Sequence, residues 1–217
     1  MILPLLKKEF RLCLHPTTPL MLALSALILI PNYPYALAYF YISLGFFFIC
    51  ITGREQHDVS YTLSLPVAKG DVVTARQLFF VLLELLQLAL AALLIPLHNR
   101  LLSAPNQAGM DANLSLLAEG FLFYALFHLL FFPSYYRDVN KVGVSFIKST
   151  VGMSVLLLAE IVACYTVPLF RDVLDTPDPA HMGAKLLFLL VCVVIYVLCV
   201  LLSIRVCKAR FLKQDIH

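Results

Sequence analysis

Charge is scarce in this chain. Only 13% of its 217 residues are Asp, Glu, Lys or Arg, about half of the ~25% usual for a soluble domain. Hydrophobic residues make up 61% and the mean hydropathy is +0.90, so the sequence predicts an integral membrane protein. Chemical motifs are missing as well. There is no Gly-x-x-x-x-Gly-Lys-Ser/Thr phosphate loop, no Gly-x-Ser-x-Gly and no His-Glu-x-x-His, so the chain is not expected to bind ATP by itself or to work as a hydrolase of those kinds. The six cysteines (13, 50, 164, 192, 199, 207) form no Cys-x-x-Cys pair and lie in or beside apolar runs, where cysteine behaves as a small hydrophobe. The six histidines are scattered over different segments, and no metal cluster is expected. No cleavable signal peptide is expected, because the charges of MILPLLKKEFRLCLHP follow its first apolar residues.

A spanning helix needs about 20 mostly apolar residues. Six candidates are present: Thr17–Ile30, Tyr35–Thr52, Gln77–Leu97, Leu116–Tyr136, Ser149–Phe170 and Ala184–Ile204. The fold class expected is all-α, a single polytopic membrane domain. The first span is the short one, covering only ~21 Å. Either it begins earlier, through Pro16 and Pro19, or the membrane thins there. The Pro31-Asn32-Tyr33-Pro34 turn separates it from the second.

Lys and Arg placement sets the orientation. Thirteen of the sixteen fall in the N-terminal segment, the 53–76 loop, the loop after span four and the tail from 205, whereas Arg100, Arg171 and Lys185 lie opposite. Both termini and the 53–76 loop are therefore expected in the cytoplasm, with the protein in the cell's inner membrane. Residues 1–16 place Leu5, Leu6, Phe10 and Cys13 on one helical side, as an interfacial helix would. An ordinary basic anchor that sets topology would serve equally well.

Few ionisable groups fall inside spans, and each is a functional candidate by its cost. Glu84 and Gln87 share a face of span three, His128 is near the middle of span four and Glu160 near the middle of span five. Glu119 sits near the outer end of span four, within reach of water. These groups could form a proton relay, a cargo-lining site or a catalytic pair, or they could be interhelical hydrogen-bonding groups. Nothing in the sequence says whether Glu84, His128 and Glu160 meet. Asn113-Leu114-Ser115 fits the glycosylation tripeptide, which often arises by accident.

The loop at 53–76, GREQHDVSYTLSLPVAKGDVVTAR, is far longer than a chain reversal needs. Arg54 to Leu65 is expected to form a helix of about three turns. Glu55, Asp58 and Thr62 would line one side, and Val59, Leu63 and Tyr61 a partly apolar one. Pro66 would stop it, and Gly70-Asp71 would cap a second run, Val72–Arg76, leading into span three. Such a helix suits docking to a cytosolic partner or resting on lipid headgroups.

The segment Leu6-Lys7-Lys8-Glu9-Phe10, two spans, and then Glu55 followed by Leu63-Ser64-Leu65-Pro66-Val67-Ala68-Lys69-Gly70-Asp71-Val72-Val73 resemble the permease subunit of ABC-2-type ABC transporters, small bacterial six-span members above all. The resemblance implies a non-catalytic membrane subunit with no cofactor of its own. ATP and Mg would be bound by a separate ABC ATPase, and a second permease would complete a homodimer. Arg54–Leu65 would be the coupling helix, with Arg54, Glu55, Asp58, Tyr61, Leu63 and Leu65 as ATPase-coupling residues, and Leu5–His15 would be an elbow helix. The cargo expected is hydrophobic or amphipathic: a peptide, lipid or drug-like molecule. No nucleic acid is expected. The rival readings are an ion-coupled carrier using Glu84, His128 and Glu160, an intramembrane enzyme using the same groups, and a non-transporting scaffold or immunity protein. A carrier should show internal repeats and broken helices at the midplane, and the sequence has no convincing repeat and only 8 glycines.

Overall fold

The computed structural model describes residues 2–102 and 106–213. They form helices joined by short connections, with no strand among them. In chain order these are α1 (Ile2–Lys8), α2 (Thr17–Ala23), α3 (Leu37–Glu55), α4 (Asp58–Leu63), α5 (Lys69–Leu101), α6 (Leu114–Tyr135), α7 (Val142–Thr166) and α8 (Met182–Phe211). A widened π turn, Glu9–Cys13, extends α1, and a tight 3-10 turn, Leu24–Leu29, extends α2. A second π turn, Phe170–Leu174, follows α7.

Five helices, α3 and α5 to α8, are long and apolar enough to cross a membrane. The expected first span is made instead of α2 and its 3-10 extension, meeting the α1 segment at 90°. A 3-10 turn rises ~2.0 Å per residue against ~1.5 Å in an α-helix, so residues 17–29 stretch to roughly 22 Å, still short of a ~30 Å hydrocarbon layer. At span three the expected start, Gln77, directly follows the last charge of the loop, Arg76. The helix begins at Lys69 rather than Gln77 and runs 33 residues, ~50 Å. Asp71 is not its cap; it sits inside the first turn, where a carboxylate meets the positive end of the helix dipole. Span five starts at Val142 rather than Ser149, so Lys148 lies exposed on the helix. The sixth span runs on to Phe211, which takes most of the expected tail into α8; residues 214–217 lie outside the described part.

Helix α6 is the centre of the bundle. It packs most extensively on α8 and then on α7. Its ring-bearing face is continuous with that of its neighbours. Phe46 and Phe80 stack at 4.2 Å, Phe80 meets Phe132 at 5.3 Å, and Phe127 stacks on Phe131 at 4.8 Å. Such pairs add ~0.5–1.5 kcal/mol each beyond the area they bury. Gly120 permits the closest approach on α6. A methyl group there would stand 2.6 Å from Leu88 Cδ2 and 2.9 Å from the Tyr39 ring. Helices α7 and α8 turn long runs of Val and Leu outward, Val151, Val155, Leu158 and Leu190 among them, as faces in contact with lipid do.

Asn113 caps α6. Its Oδ1 accepts from the Ser115 and Leu116 amides, and its Nδ2 donates to the Leu174 and Thr176 carbonyls. With no exposed surface and its whole amide engaged, it is a cap and a strut rather than a glycan acceptor.

Candidate functional site

The 53–76 segment is not one helix from Arg54 to Leu65. Arg54 and Glu55 close α3, Gln56 and His57 turn the chain, and α4 follows. His57 has φ +52, a left-handed value that ends the α-helical ladder. Helix α4 is therefore under two turns long, with two different faces. Outward stand Ser60 and Tyr61, continued by Ser64 and Leu65. Tyr61 is 63% exposed and Leu65 42%. Arg54 and Glu55 are exposed on the adjoining end of α3, where Arg54 Nη1 donates to the Asn140 carbonyl at 3.3 Å.

Two of the expected coupling residues face the other way. Leu63 packs with Leu5, Val72 and Ala75. Asp58 turns into an ion cluster that ties three segments together. Its Oδ1 lies 2.7 Å from Lys8 Nζ, and its Oδ2 accepts a very short hydrogen bond from Arg76 Nη2. Arg76 Nε lies 2.6 Å from Glu9 Oε2, and Lys8 Nζ is 3.3 Å from Glu9 Oε1. Lys8 also donates to Thr62 Oγ1 at 2.9 Å, and that hydroxyl donates to the Asp58 carbonyl at 2.7 Å. Two cations thus meet two carboxylates, all mostly or fully buried, at the junction of the α1 segment, α4 and α5. Burial pushes the Asp58 carboxyl up, but the Arg76 guanidinium and the Lys8 ammonium outweigh it and hold the group below the usual carboxylate value. Glu9, Cys13 and Asp58 have the proximity of a metal-ligand set. Arg76 touches all three, through Nε to Glu9 and Nη2 to Asp58 and Cys13, so the cation in this place is the protein's own.

In the sequence, Lys8 and Glu9 have a place in the family-like N-terminal motif and Arg76 one at the end of the run into span three, but their pairing is not visible. One signal was available: Arg76 follows Val72-Val73 on the buried face of a helix already committed to the bundle, where a charge requires a partner.

Inside the bundle, Glu84 and His128 do meet. Glu84 Oε2 lies 3.1 Å from His128 Nε2 and accepts from Tyr196 Oη at 2.6 Å, joining α5, α6 and α8. Gln87 Nε2 donates to the Ala38 carbonyl at 2.9 Å. Glu84 and His128 have 0% exposure, and the His128 ring is flanked by Phe132 at 4.8 Å and Tyr196 at 6.1 Å. Glu160 takes no part in this. It lies toward the far end of α7, where its Oε1 accepts from the Met110 amide at 2.9 Å. It shares a small cavity with Glu119, which does not reach water as expected but is only 4% exposed.

At that same end the loop 106–113 folds over the bundle. Asp175 Oδ1 accepts from the Asp111 amide at 2.6 Å, and Lys185 Nζ bonds Asp178 Oδ1 at 2.8 Å. Burial raises the Asp175 carboxyl to about 6, and it raises Asp111 as well. Lys185, one of the three basic residues on this side, is thus fully buried and paired.

The architecture is that of an all-helical, multi-pass membrane protein with a short surface helix clamped to the α1 segment and α5. The chain belongs to the family described as ABC-2 family transporter protein, which matches residues 4–208. It is an ABC transporter permease, and its family associates with an ABC ATPase. Comparison with curated proteins and with solved structures finds no match to the chain.

Proposed function

We propose that this permease serves an ATP-driven exporter as one of two copies. Its basic end would lie in the cytoplasm of an inner membrane, and α4 would receive the stroke of a separate ATPase that binds ATP and Mg. The six-span plan goes with this reading, residues 17–29 making the first crossing through a thinned layer. The observation that carries it is the two-faced construction of α4. Tyr61 and Leu65, with Arg54 and Glu55 at the adjoining end of α3, are exposed to a partner, while Asp58, Thr62 and Leu63 hold α4 to the α1 segment and α5. A push on the outer face is thereby passed to the longest spanning helix without an intervening loop. Nucleotide states act on the bundle only so far as they contact α4 differently. The cargo is hydrophobic or amphipathic.

The test is replacement of Tyr61 and Leu65 by Glu, followed by co-purification with the ATPase and measurement of ATP turnover. Assembly and turnover should be lost while the chain stays in the membrane. Unchanged assembly and turnover would sink the coupling assignment.

The Glu84–His128–Tyr196 cluster satisfies the distance an acid–base pair needs. Its complete burial behind aromatic rings offers no surface to a substrate or an ion. We read it, with Gln87, as interhelical hydrogen bonding. The carrier and enzyme readings lose their strongest residues by this argument.

A further inference from the structure

Two carboxylic acids stand close together at the α6–α7 contact, near the end opposite the ion cluster. Glu119 is in the second turn of α6, and Glu160 is in the corresponding part of α7. They line one cavity of about 20 Å³ together with Leu122, Phe123 and Leu156. Glu119 Oε2 is buried and has no hydrogen-bond partner. A buried carboxyl oxygen left unpaired is costly, and an explanation is due for it. The charged groups that act on Glu119 are Glu160 and Asp175, both acidic. Among the described residues no Lys or Arg is bonded to either glutamate.

A second cavity of about 80 Å³ adjoins the first. Phe123 borders both, and Leu156 and Leu157 are neighbours in sequence, one on each. Its walls are Ala36, Leu37 and Phe40 near the start of α3, Phe123, and Met153, Ser154 and Leu157 of α7. Ser154 is exposed at its rim, so the groove opens to the bundle surface. The acid pair and the apolar groove meet at Phe123, so one ligand with a polar head and a hydrocarbon tail can reach both.

We propose that this composite site binds a lipophilic primary amine, its ammonium between Glu119 and Glu160 and its hydrocarbon tail in the α3–α6–α7 groove. This rests on the exporter reading, whose hydrophobic or amphipathic cargo it narrows to a chemical class. Size selects the head group. A cavity of 10–15 Å³ holds one water, so about 20 Å³ admits a primary ammonium and rejects a trimethylammonium. Hydrogen bonding selects it again. An –NH3+ brings three donors, enough for Glu119 Oε2 and a Glu160 oxygen, whereas a quaternary nitrogen brings none. The tail meets two aromatic rings and a thioether, a surface that adapts to varied hydrocarbon.

The test uses the full chain purified with its ATPase partner. Binding of n-octylamine and of n-octyltrimethylammonium is measured directly and by thermal stabilisation, with sodium and ammonium chloride as small-cation controls. Octylamine should bind at least tenfold more tightly than the quaternary compound. Glu119→Gln and Glu160→Gln should each weaken octylamine about tenfold or more, the loss of one charge-assisted hydrogen bond. Ser154→Phe, at the exposed rim, should fill the groove and weaken octylamine while the acid pair stays intact; it keeps the proposal testable if a glutamate variant misfolds. Equal affinity for both amines, wild-type binding in Ser154→Phe, or equal protection by ammonium chloride alone would overturn the proposal, the last by making the site one for small cations. ATPase assembly is scored in the same preparations. Intact assembly without amine binding refutes this site and leaves the coupling reading standing, while unchanged assembly and turnover in the Tyr61 and Leu65 variants with intact amine binding do the reverse.

Discussion

Replacing Asp58 tests the mechanical core of the structure. In Asp58→Leu, Arg76 keeps Glu9 but loses its second carboxylate, and Lys8 keeps Thr62 and Glu9. The cluster changes from neutral to one excess positive charge in a nearly dry site, because the Arg76 side chain is only 4% exposed. Removing one partner of a buried pair costs about 3–5 kcal/mol. Asp58→Asn, which keeps an oxygen acceptor, should fall at the lower end. At about 2–4 °C per kcal/mol for a chain of this size, the leucine variant should lose on the order of 10 °C in Tm. The second arm is Asp58→Leu with Arg76→Met. That pair restores neutrality, leaves Lys8 with Glu9, and should recover most of the loss, giving a large non-additive term. The assay is thermal unfolding of the purified permease, followed by tyrosine fluorescence, at low and high salt. Salt should matter little because the charges are buried. The pH sign is fixed too. The folded Asp58 carboxyl is held below its ordinary value, so its contribution is complete above the unfolded pKa and vanishes only as pH falls through the lower folded one. The difference between wild type and Asp58→Asn should thus be full at neutral pH and shrink only in acid. Single variants within about 0.5 kcal/mol of wild type, or a double variant equal to the sum, would refute the claim that this cluster binds α4 to α5.

Other expectations follow from the same geometry. Gly120→Ala forces a methyl against Leu88 and Tyr39 and should cost about 1–3 kcal/mol, read as a lower Tm. Glu84→Leu orphans His128 Nε2 and Tyr196 Oη, at ~1–3 kcal/mol for each buried group. Glu84→Gln should retain ATP-driven turnover, and selective loss of turnover at wild-type stability would restore a chemical role for the cluster. Asp175 has its carboxyl raised to about 6 by burial, so the folded state binds more protons than the unfolded one between the ordinary value and 6. Stability of the 106–113 and 170–178 region should therefore fall as pH rises through that window. Asp175→Asn, which can still accept from the Asp111 amide, should flatten the pH dependence of hydrogen exchange there.

The spans were legible wherever a long apolar run dominated, as in residues 37–55 and 182–211, because about 20 such residues have few other uses. Their ends were misjudged where charge served as a boundary marker. Lys69, Arg76 and Lys148 all lie within helices, two of them at positions where packing or pairing makes charge tolerable. The break at His57 had only a weak signal, since histidine adopts the left-handed region more readily than most residues but far more often does not. Within the site, the length and polarity of the 53–76 segment marked it out, but the faces assigned to Arg54–Leu65 assume one unbroken helix. The turn at 56–57 rotates that face, and Asp58 and Leu63 end up inside. Pairings such as Glu84 with His128, or Glu119 beside Glu160, join residues about 40 positions apart and were not legible without the packing of α5, α6 and α7.

The ion cluster also dictates an order of assembly in time. Lys8 and Glu9 are synthesised first, Asp58 later, and Arg76 last, 67 residues after Glu9. Until Arg76 arrives, Glu9 lacks the guanidinium it is buried against and stays hydrated at the membrane surface. The N-terminal segment therefore cannot settle beneath the bundle while it is being made. It closes only once α5 has begun to insert, and the first 76 residues lock as a unit. A ribosome-bound chain halted short of Arg76 should therefore expose that amphipathic segment to added protease, and one halted well beyond it should protect it.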